Sequence, residues 1–307
     1  MTESTIPVVD LRDFHDPARR AEFVRVLGEG LEAFGFVALQ GHGVSNELLD
    51  RCYGSARDVF ALPAETKAGY EVPEEGRQRG YTSFGVEKAK DRDVADIKEF
   101  WQVGRELADD HPYRQGGVVP ANRWPDEVPA FREAYTEYFT TMESITDSLL
   151  VAIAEYLGLA PDYFADVTRD GNTVIRALNY PEQGVVEAGA VRAAEHEDIN
   201  LITILPASTK PGLELMTREG EWMSVMVPPG VLVADTGDMM NRLTAGKLPA
   251  TTHRVVNPET SDGGRQSMPF FVHPRPDFVI TPMVEGFAEP IRADEYLKQR
   301  LIEIGVM

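Results

Sequence analysis

The stretch "AAEHEDINLITIL" (residues 193–205) decides how this chain is read. Glu195, His196, Glu197 and Asp198 crowd the entry of a run in which Ile199, Leu201, Ile202 and Ile204 are apolar. Such a run reads as a buried strand, and charged groups at its mouth are costly to desolvate without partners. His196 and Asp198 are one residue apart, so on a strand they share a face and can converge on one ion. Glu195 and Glu197 then turn to the opposite face and read as a solvated edge. A solvated strand entry would also account for the whole cluster.

Outward from this stretch, short β-rich runs recur at 174–180, 213–216, 222–227, 231–235, 253–257, 267–272 and 278–280, punctuated by Gly, Pro and Asp. Many short strands at near-regular spacing predict an antiparallel sandwich or jelly roll. Towards the N-terminus the texture is helical. Residues 18–34 and 129–157 carry apolar side chains at steps of three and four, and Ser45 is placed to cap a helix running to about Leu62. "IPVVDL" (6–11) and "GFVALQGHGV" (35–44) read as strands, 64–125 as irregular, and "ADEYLKQRLIEIGV" as a final helix. The expected class is mainly β with flanking helices. One unit is expected over 1–307: a helix-rich part (1–172), a sheet core (173–285) and a C-terminal helix (286–307).

Composition narrows the function. Fifty acids against 30 Lys plus Arg give a formal charge of −20, a field that repels nucleic acid and anionic membrane. An anionic ligand therefore needs a local cluster of cations. Cys52 is the only cysteine, which excludes an intramolecular disulfide and a thiolate metal cage. No apolar run approaches the ~18–20 residues of a membrane span, and "MTESTIPVVDLRDF" has neither the basic start nor the apolar core of an export signal. A cytoplasmic protein with no obligate protein partner is expected. "GEGLEAFG" (28–35) has the wrong glycine spacing for a dinucleotide fingerprint.

Asp198 lies 55 residues before His253, which opens the strand "HRVV". Two histidines and one carboxylate form the facial triad of non-haem Fe(II) oxygenases, which leaves positions open for substrate and O2. Shortly after comes "GGRQSMPFF" (263–271), where Arg265 and Ser267 share a strand face. A guanidinium and a hydroxyl on an apolar strand make a carboxylate clamp. The alternative for Arg265 is a structural pairing with one of the many acids. A zinc hydrolase could also use two His and an Asp, but it would leave the clamp idle and lacks a positioned base. A non-catalytic β-barrel would need neither triad nor clamp.

The order H-x-D, then H, then R-x-S resembles the isopenicillin N synthase-like family of Fe(II) and 2-oxoglutarate-dependent dioxygenases. "IPVVDL", "EAFGFVALQGHGV", "VIRALNYP" and "VLVADTGDMMNRLTAGKLPATTHRVV" extend the likeness over nearly the whole chain. The resemblance implies a double-stranded β-helix (a cupin-like jelly roll) in which His196, Asp198 and His253 hold Fe(II). It further implies that Arg265, Ser267 and Tyr180 bind the distal carboxylate of 2-oxoglutarate. No catalytic residue beyond the metal site is implied. The expected reaction consumes O2, releases succinate and CO2, and oxidises, by hydroxylation first of all, an unactivated C–H bond of a small molecule. Glu197, where plant-type members carry Thr, is closer to isopenicillin N synthase itself. That opens an alternative, an O2-dependent oxidase without 2-oxoglutarate whose clamp holds the substrate's own carboxylate. For the substrate pocket the candidates are Phe84, Trp101, Arg176 and Phe271, with Arg176 favouring an anion. Each has a plainer reading as core, or for Arg176 as the partner of a Glu.

Overall fold

The computed structural model describes residues 6–87, 97–181, 192–228, 230–256 and 264–303. The strands run in chain order as β1 (Val8–Asp10), β2 (Phe36–Gln40), β3 (Gly80–Thr82), β4 (Glu99–Gly104), β5 (Val174–Tyr180), β6 (Ala193–His196) and β7 (Ile202–Pro206). There follow β8 (Leu213–Met216), β9 (Trp222–Ser224), β10 (Leu232–Thr236), β11 (His253–Val255), β12 (Arg265–Ser267), β13 (Phe270–Val272), β14 (Val279–Ile280) and β15 (Ile291–Arg292). The major sheet has the order β1-β2-β10-β7-β13-β5-β4-β3, with β12 also on β5. The minor sheet is β6-β11-β8-β9, and β14 pairs with β15. Among the described strands of the major sheet only β1–β2 is parallel. This is the expected jelly-roll core: two sheets, with functional side chains contributed by both.

The helices form where the periodicity placed them: α1 (Arg20–Phe34), α2 (Asn46–Phe60) and α3 (Pro129–Leu157). Ser45 caps α2, its hydroxyl accepting from the Leu48 N–H at 3.1 Å. Gly28 allows α1 to lie flush on α3, since a Cβ there would fall 2.0 Å from the Tyr156 ring. Near the site come α4 (Asp238–Leu243) and α5 (Ala293–Glu303). One apolar core includes Val9 and Leu27, Leu149 of α3, Ile204 and Phe270 of the sheet, and Ala293 of α5. Among the described residues no helix is long and apolar enough to cross a membrane.

Three local expectations change. The strand expected at 199–205 begins only at Ile202, because the start of α4 binds the backbone before it. The N–H groups of Asp238, Gly237 and Met239 donate to the carbonyls of Asp198, Leu201 and Asn200. The run 267–272 divides into β12 and β13 around Pro269, which has no N–H to give a ladder. The irregular 64–125 segment contributes β3 and β4 to the major sheet. Asn257 and the tail beyond Glu303 lie outside the described residues.

Candidate functional site

β6 and β11 are antiparallel neighbours, and their register sets His253 opposite His196. Each imidazole turns Nδ1 to the carbonyl two residues before it: His196 to Ala194 O at 2.7 Å and His253 to Thr251 O at 3.1 Å. A carbonyl only accepts, so Nδ1 carries the proton in both rings and Nε2 is left as a lone-pair donor. Both Nε2 atoms approach one oxygen, Asp198 Oδ1, at 3.8 and 3.7 Å. The three ligand atoms lie within 4.8 Å of one another. Burial, with the neighbouring His253, lowers the His196 pKa; the ring is therefore neutral near pH 7, the form that ligates metal.

Asp198 reaches this position from a turn rather than from a strand, which corrects the same-face argument made for H-x-D. Its backbone is held by the start of α4, and its Oδ2 accepts a hydrogen bond from the Thr203 hydroxyl. That hydroxyl in turn accepts from Asn200 Nδ2 at 2.9 Å. Phe36 meets the His253 ring edge-on at 5.6 Å. Glu197 is not a bare solvated edge either: it accepts from the Thr252 hydroxyl at 3.3 Å and lines the outer cavity with Glu195.

The clamp lies across from the triad. Arg265 pairs with Tyr180 in the β12–β5 register, and Ser267 with Leu178. Arg265 is 2% exposed; its Nε donates to Lys210 O at 3.1 Å, and its Nη1 has no partner. The Tyr180 ring lies 5.1 Å from the guanidinium carbon. Among the described residues no acid forms a salt bridge with Arg265, and its Nε is turned instead to the Lys210 carbonyl. Triad and clamp line one small cavity of about 70 Å³. The buried Asp235 lines it too; burial and the nearby Asp198 raise its pKa well above the ordinary carboxylate range.

A second cavity of about 560 Å³ opens from the triad. Strand alternation orders its walls. Tyr180, Leu178 and Arg176 on β5 run from the small cavity towards the large one, and Val174 continues into it. Arg265, Ser267, Pro269, Phe271 and His273 make the same passage along β12 and β13. Lys98, Phe100 and Gln102 add the β4 wall. Arg176 does line the chamber, and it also meets the acid that the plainer reading supplied. Its Nη1 donates to both Glu87 oxygens at 3.0 and 3.1 Å, while Lys98 Nζ is 2.7 Å from the same carboxylate. Burial alone would raise Glu87, but the two cations more than offset it and hold the carboxyl at about 2. The guanidinium lies against the Phe100 and Phe271 rings, 4.3 and 5.5 Å from their centroids.

Two pocket candidates fall elsewhere. Trp101 is wholly buried on the other face of β4, packed against Tyr70 and Phe131 with its indole N–H on Arg123 O; alternation sends Phe100 and Gln102 to the chamber and Trp101 to the core. Phe84 is 44% exposed and outside the chamber wall. The chamber residues that sequence reasoning missed are Lys98, Glu87 and His273, and beside the triad Thr203 and Asp235. Lys98 and His273 each continue an alternation already counted from Phe100 and Arg265.

Residues 170–274 match the 2OG-Fe(II) oxygenase superfamily, and residues 6–127 match the family described as non-haem dioxygenase in morphine synthesis, N-terminal. A curated relative, the 2-oxoglutarate-Fe(II) type oxidoreductase hxnY of Emericella nidulans, is 30% identical over 91% of this chain and 82% of its own length. Among solved structures, a 2OG-Fe(II) oxygenase family protein from Caulobacter crescentus superposes with a TM-score of 0.87 at 38% identity, covering 98% of this chain and 99% of that one. A full-length Neurospora crassa protein in complex with alpha-KG gives 0.84 at 26% identity, covering 97% and 96%.

Proposed function

The chain belongs to the 2OG-Fe(II) oxygenase superfamily and is an Fe(II)- and 2-oxoglutarate-dependent oxidoreductase, and from that premise we propose which of its residues do the work. His196, Asp198 and His253 hold Fe(II) through two Nε2 atoms and a carboxylate oxygen. Arg265, Ser267 and Tyr180 take the distal carboxylate of 2-oxoglutarate in the small cavity. Bound there, Fe(II) supplies the redox chemistry that couples O2 and oxidative decarboxylation of 2-oxoglutarate to oxidation of a substrate C–H bond. The observation that carries this reading is the Arg265 guanidinium, buried with Nη1 unpartnered in the same cavity as the three convergent ligands. A buried cation in that state calls for an anion.

The protein's own part is binding, orientation and exclusion of water. The Nδ1–carbonyl bonds fix both imidazole tautomers, and the Thr203 hydroxyl fixes the carboxylate. Phe271, at the junction of the two cavities, separates co-substrate from substrate. The outer chamber takes the substrate, and its volume suits a small molecule. Arg176, which meets Glu87 in the chamber wall, offers a guanidinium to an anionic or strongly dipolar group of the substrate, while Glu195, Glu197 and Asp238 line the same chamber. The apolar core shared by the helices, the sheets and α5 supports treating 1–307 as one catalytic unit. The relatives do not favour the oxidase alternative raised by Glu197.

The test is Arg265→Leu. Removing a charge-assisted carboxylate contact in a buried site costs about 2–5 kcal/mol, so 2-oxoglutarate binding to the anaerobic Fe(II) protein should weaken by at least ~30-fold with Fe(II) binding retained. Equal 2-oxoglutarate affinity in wild type and variant would overturn the assignment of the clamp.

A further inference from the structure

His273 lies two residues past Phe271 and lines the chamber but not the small cavity that holds Arg265, Ser267 and Tyr180. It is 8% exposed. Its position is fixed from three sides: the backbone N–H donates to the Thr173 hydroxyl at 3.3 Å, the ring Nδ1 meets Phe271 O at 3.3 Å, and Gly171 packs against its carbonyl so closely that a Cβ would fall 2.2 Å from that oxygen. Because Phe271 O can only accept, the proton of this ring is on Nδ1. Burial, with a further contribution from Arg79, lowers the imidazole to about 4, so the ring is neutral near pH 7. Nε2 is then a bare acceptor, and among the described residues it has no hydrogen-bond partner. The Asn172 amide is engaged elsewhere: its Nδ2 donates to Gln78 Oε1 at 2.6 Å and its Oδ1 accepts from Arg79 at 2.7 Å.

Resting on the reading of the chamber as the substrate site, we propose that His273 is a specificity-determining residue. Its Nε2 accepts a hydrogen bond from an N–H or O–H of the substrate. Arg176, paired with Glu87, lines both cavities and so stands nearer the three convergent ligand side chains along the same walls. The substrate class this defines is a compact molecule with a carboxylate or carbonyl at one end and a hydrogen-bond donor at the other. An analogue without that donor leaves a buried acceptor unpaired, and sites of that kind discriminate strongly.

The experiment uses the full chain with Fe(II) and saturating 2-oxoglutarate, without oxygen, and calorimetric titration of two matched probe pairs. Orotate carries a carboxylate and an N–H across its ring, and 3-methylorotate has that N–H capped. The second pair, 4-hydroxybenzoate and benzoate, differs by a hydroxyl, and here the member without the donor is the smaller, so steric exclusion cannot mimic a preference for the donor. The expected result is that the donor-bearing member of at least one pair binds about tenfold or more tighter. The preference should vanish in His273→Phe and survive in part in His273→Gln, whose amide oxygen can still accept. Should neither pair show a preference for the donor in the wild type, or should the preference persist in His273→Phe, the proposal is overturned. If His273→Phe does not fold, His273→Gln decides in its place: a preference weakened in part or in whole supports the role, and one equal to wild type overturns it. Binding of 2-oxoglutarate is measured first on each protein. Its failure in the wild type would refute the underlying functional reading, whereas normal 2-oxoglutarate binding without donor preference would refute only the role of His273.

Discussion

Thr203→Val should weaken metal binding without touching a ligand. The Thr203 hydroxyl does two things: it donates to Asp198 Oδ2 and accepts from Asn200 Nδ2. Valine has nearly the same shape, so packing is kept and both bonds are lost. A hydrogen bond to a charged group contributes about 1.5–3 kcal/mol. If all of it serves to hold Oδ1 towards the two imidazoles, metal affinity falls by roughly 10- to 150-fold, in line with the ~10–100-fold typical of residues that orient metal ligands. A second cost falls on folding. Asn200 is fully buried and its Oδ1 already lacks a partner, so losing the Nδ2 contact should cost about 1–3 kcal/mol more. The assay is anaerobic Fe(II) titration against a competing chelator, with denaturant unfolding of the metal-free protein alongside. Thr203→Ser keeps the hydroxyl and should bind metal as the wild type does. Metal affinity in Thr203→Val within a factor of two of wild type would refute the reasoning, as would a Thr203→Ser variant as weak as Thr203→Val.

Two further outcomes separate core from site and folding from function. Trp101→Ala should lower stability by about 3–5 kcal/mol through the cavity it leaves, measured by denaturant unfolding; a selective loss of substrate affinity with unchanged stability would return Trp101 to the pocket. His273 gives the pH dependence a sign. Its folded pKa of about 4 is below the ordinary imidazole value of 6.5, so between those values the unfolded chain binds more protons and stability rises with pH. The contribution is complete above about 6.5, shrinks on acidification towards 4, and amounts to at most about 3 kcal/mol. His273→Gln should therefore lose less stability than wild type between pH 7 and pH 5, and equal losses would show that the ring is not held neutral.

The parts of this fold that could be read from sequence are those where one periodicity decides the outcome. α3 follows its spacing from Phe131 to Ile153, and β5 its run from Val174 to Tyr180. The convergent trio His196, Asp198 and His253 could be picked out because its residue types are unusual in an apolar setting. Its geometry could not. Asp198 was expected on a strand, but the start of α4 takes the carbonyls that a ladder would have used, a contact between residues some 40 positions apart that no local pattern encodes. Trp101 shows the converse error. As an aromatic in an irregular-looking segment it invited a pocket role, yet its neighbours Phe100 and Gln102 already held the alternation that points it inward. Arg176 carried both of its readings into the structure, in the chamber wall and on Glu87.

That alternation also explains how one chain can keep its chemistry and vary its substrate. Arg265, Ser267, Pro269, Phe271 and His273 lie on one continuous face, with β13 pinned by β7 on one side and β5 on the other. Each step of two residues advances about 7 Å along a strand, so the clamp and His273 are separated by several such steps. A one-residue slip would turn the whole set to the wrong face, which makes the register a shared requirement of co-substrate and substrate binding. Within a fixed register, substitutions that far apart act almost independently. Changes at Val174, Gln102 or His273 should therefore alter what the chamber accepts while 2-oxoglutarate binding, which we assign to Arg265, stays as it is.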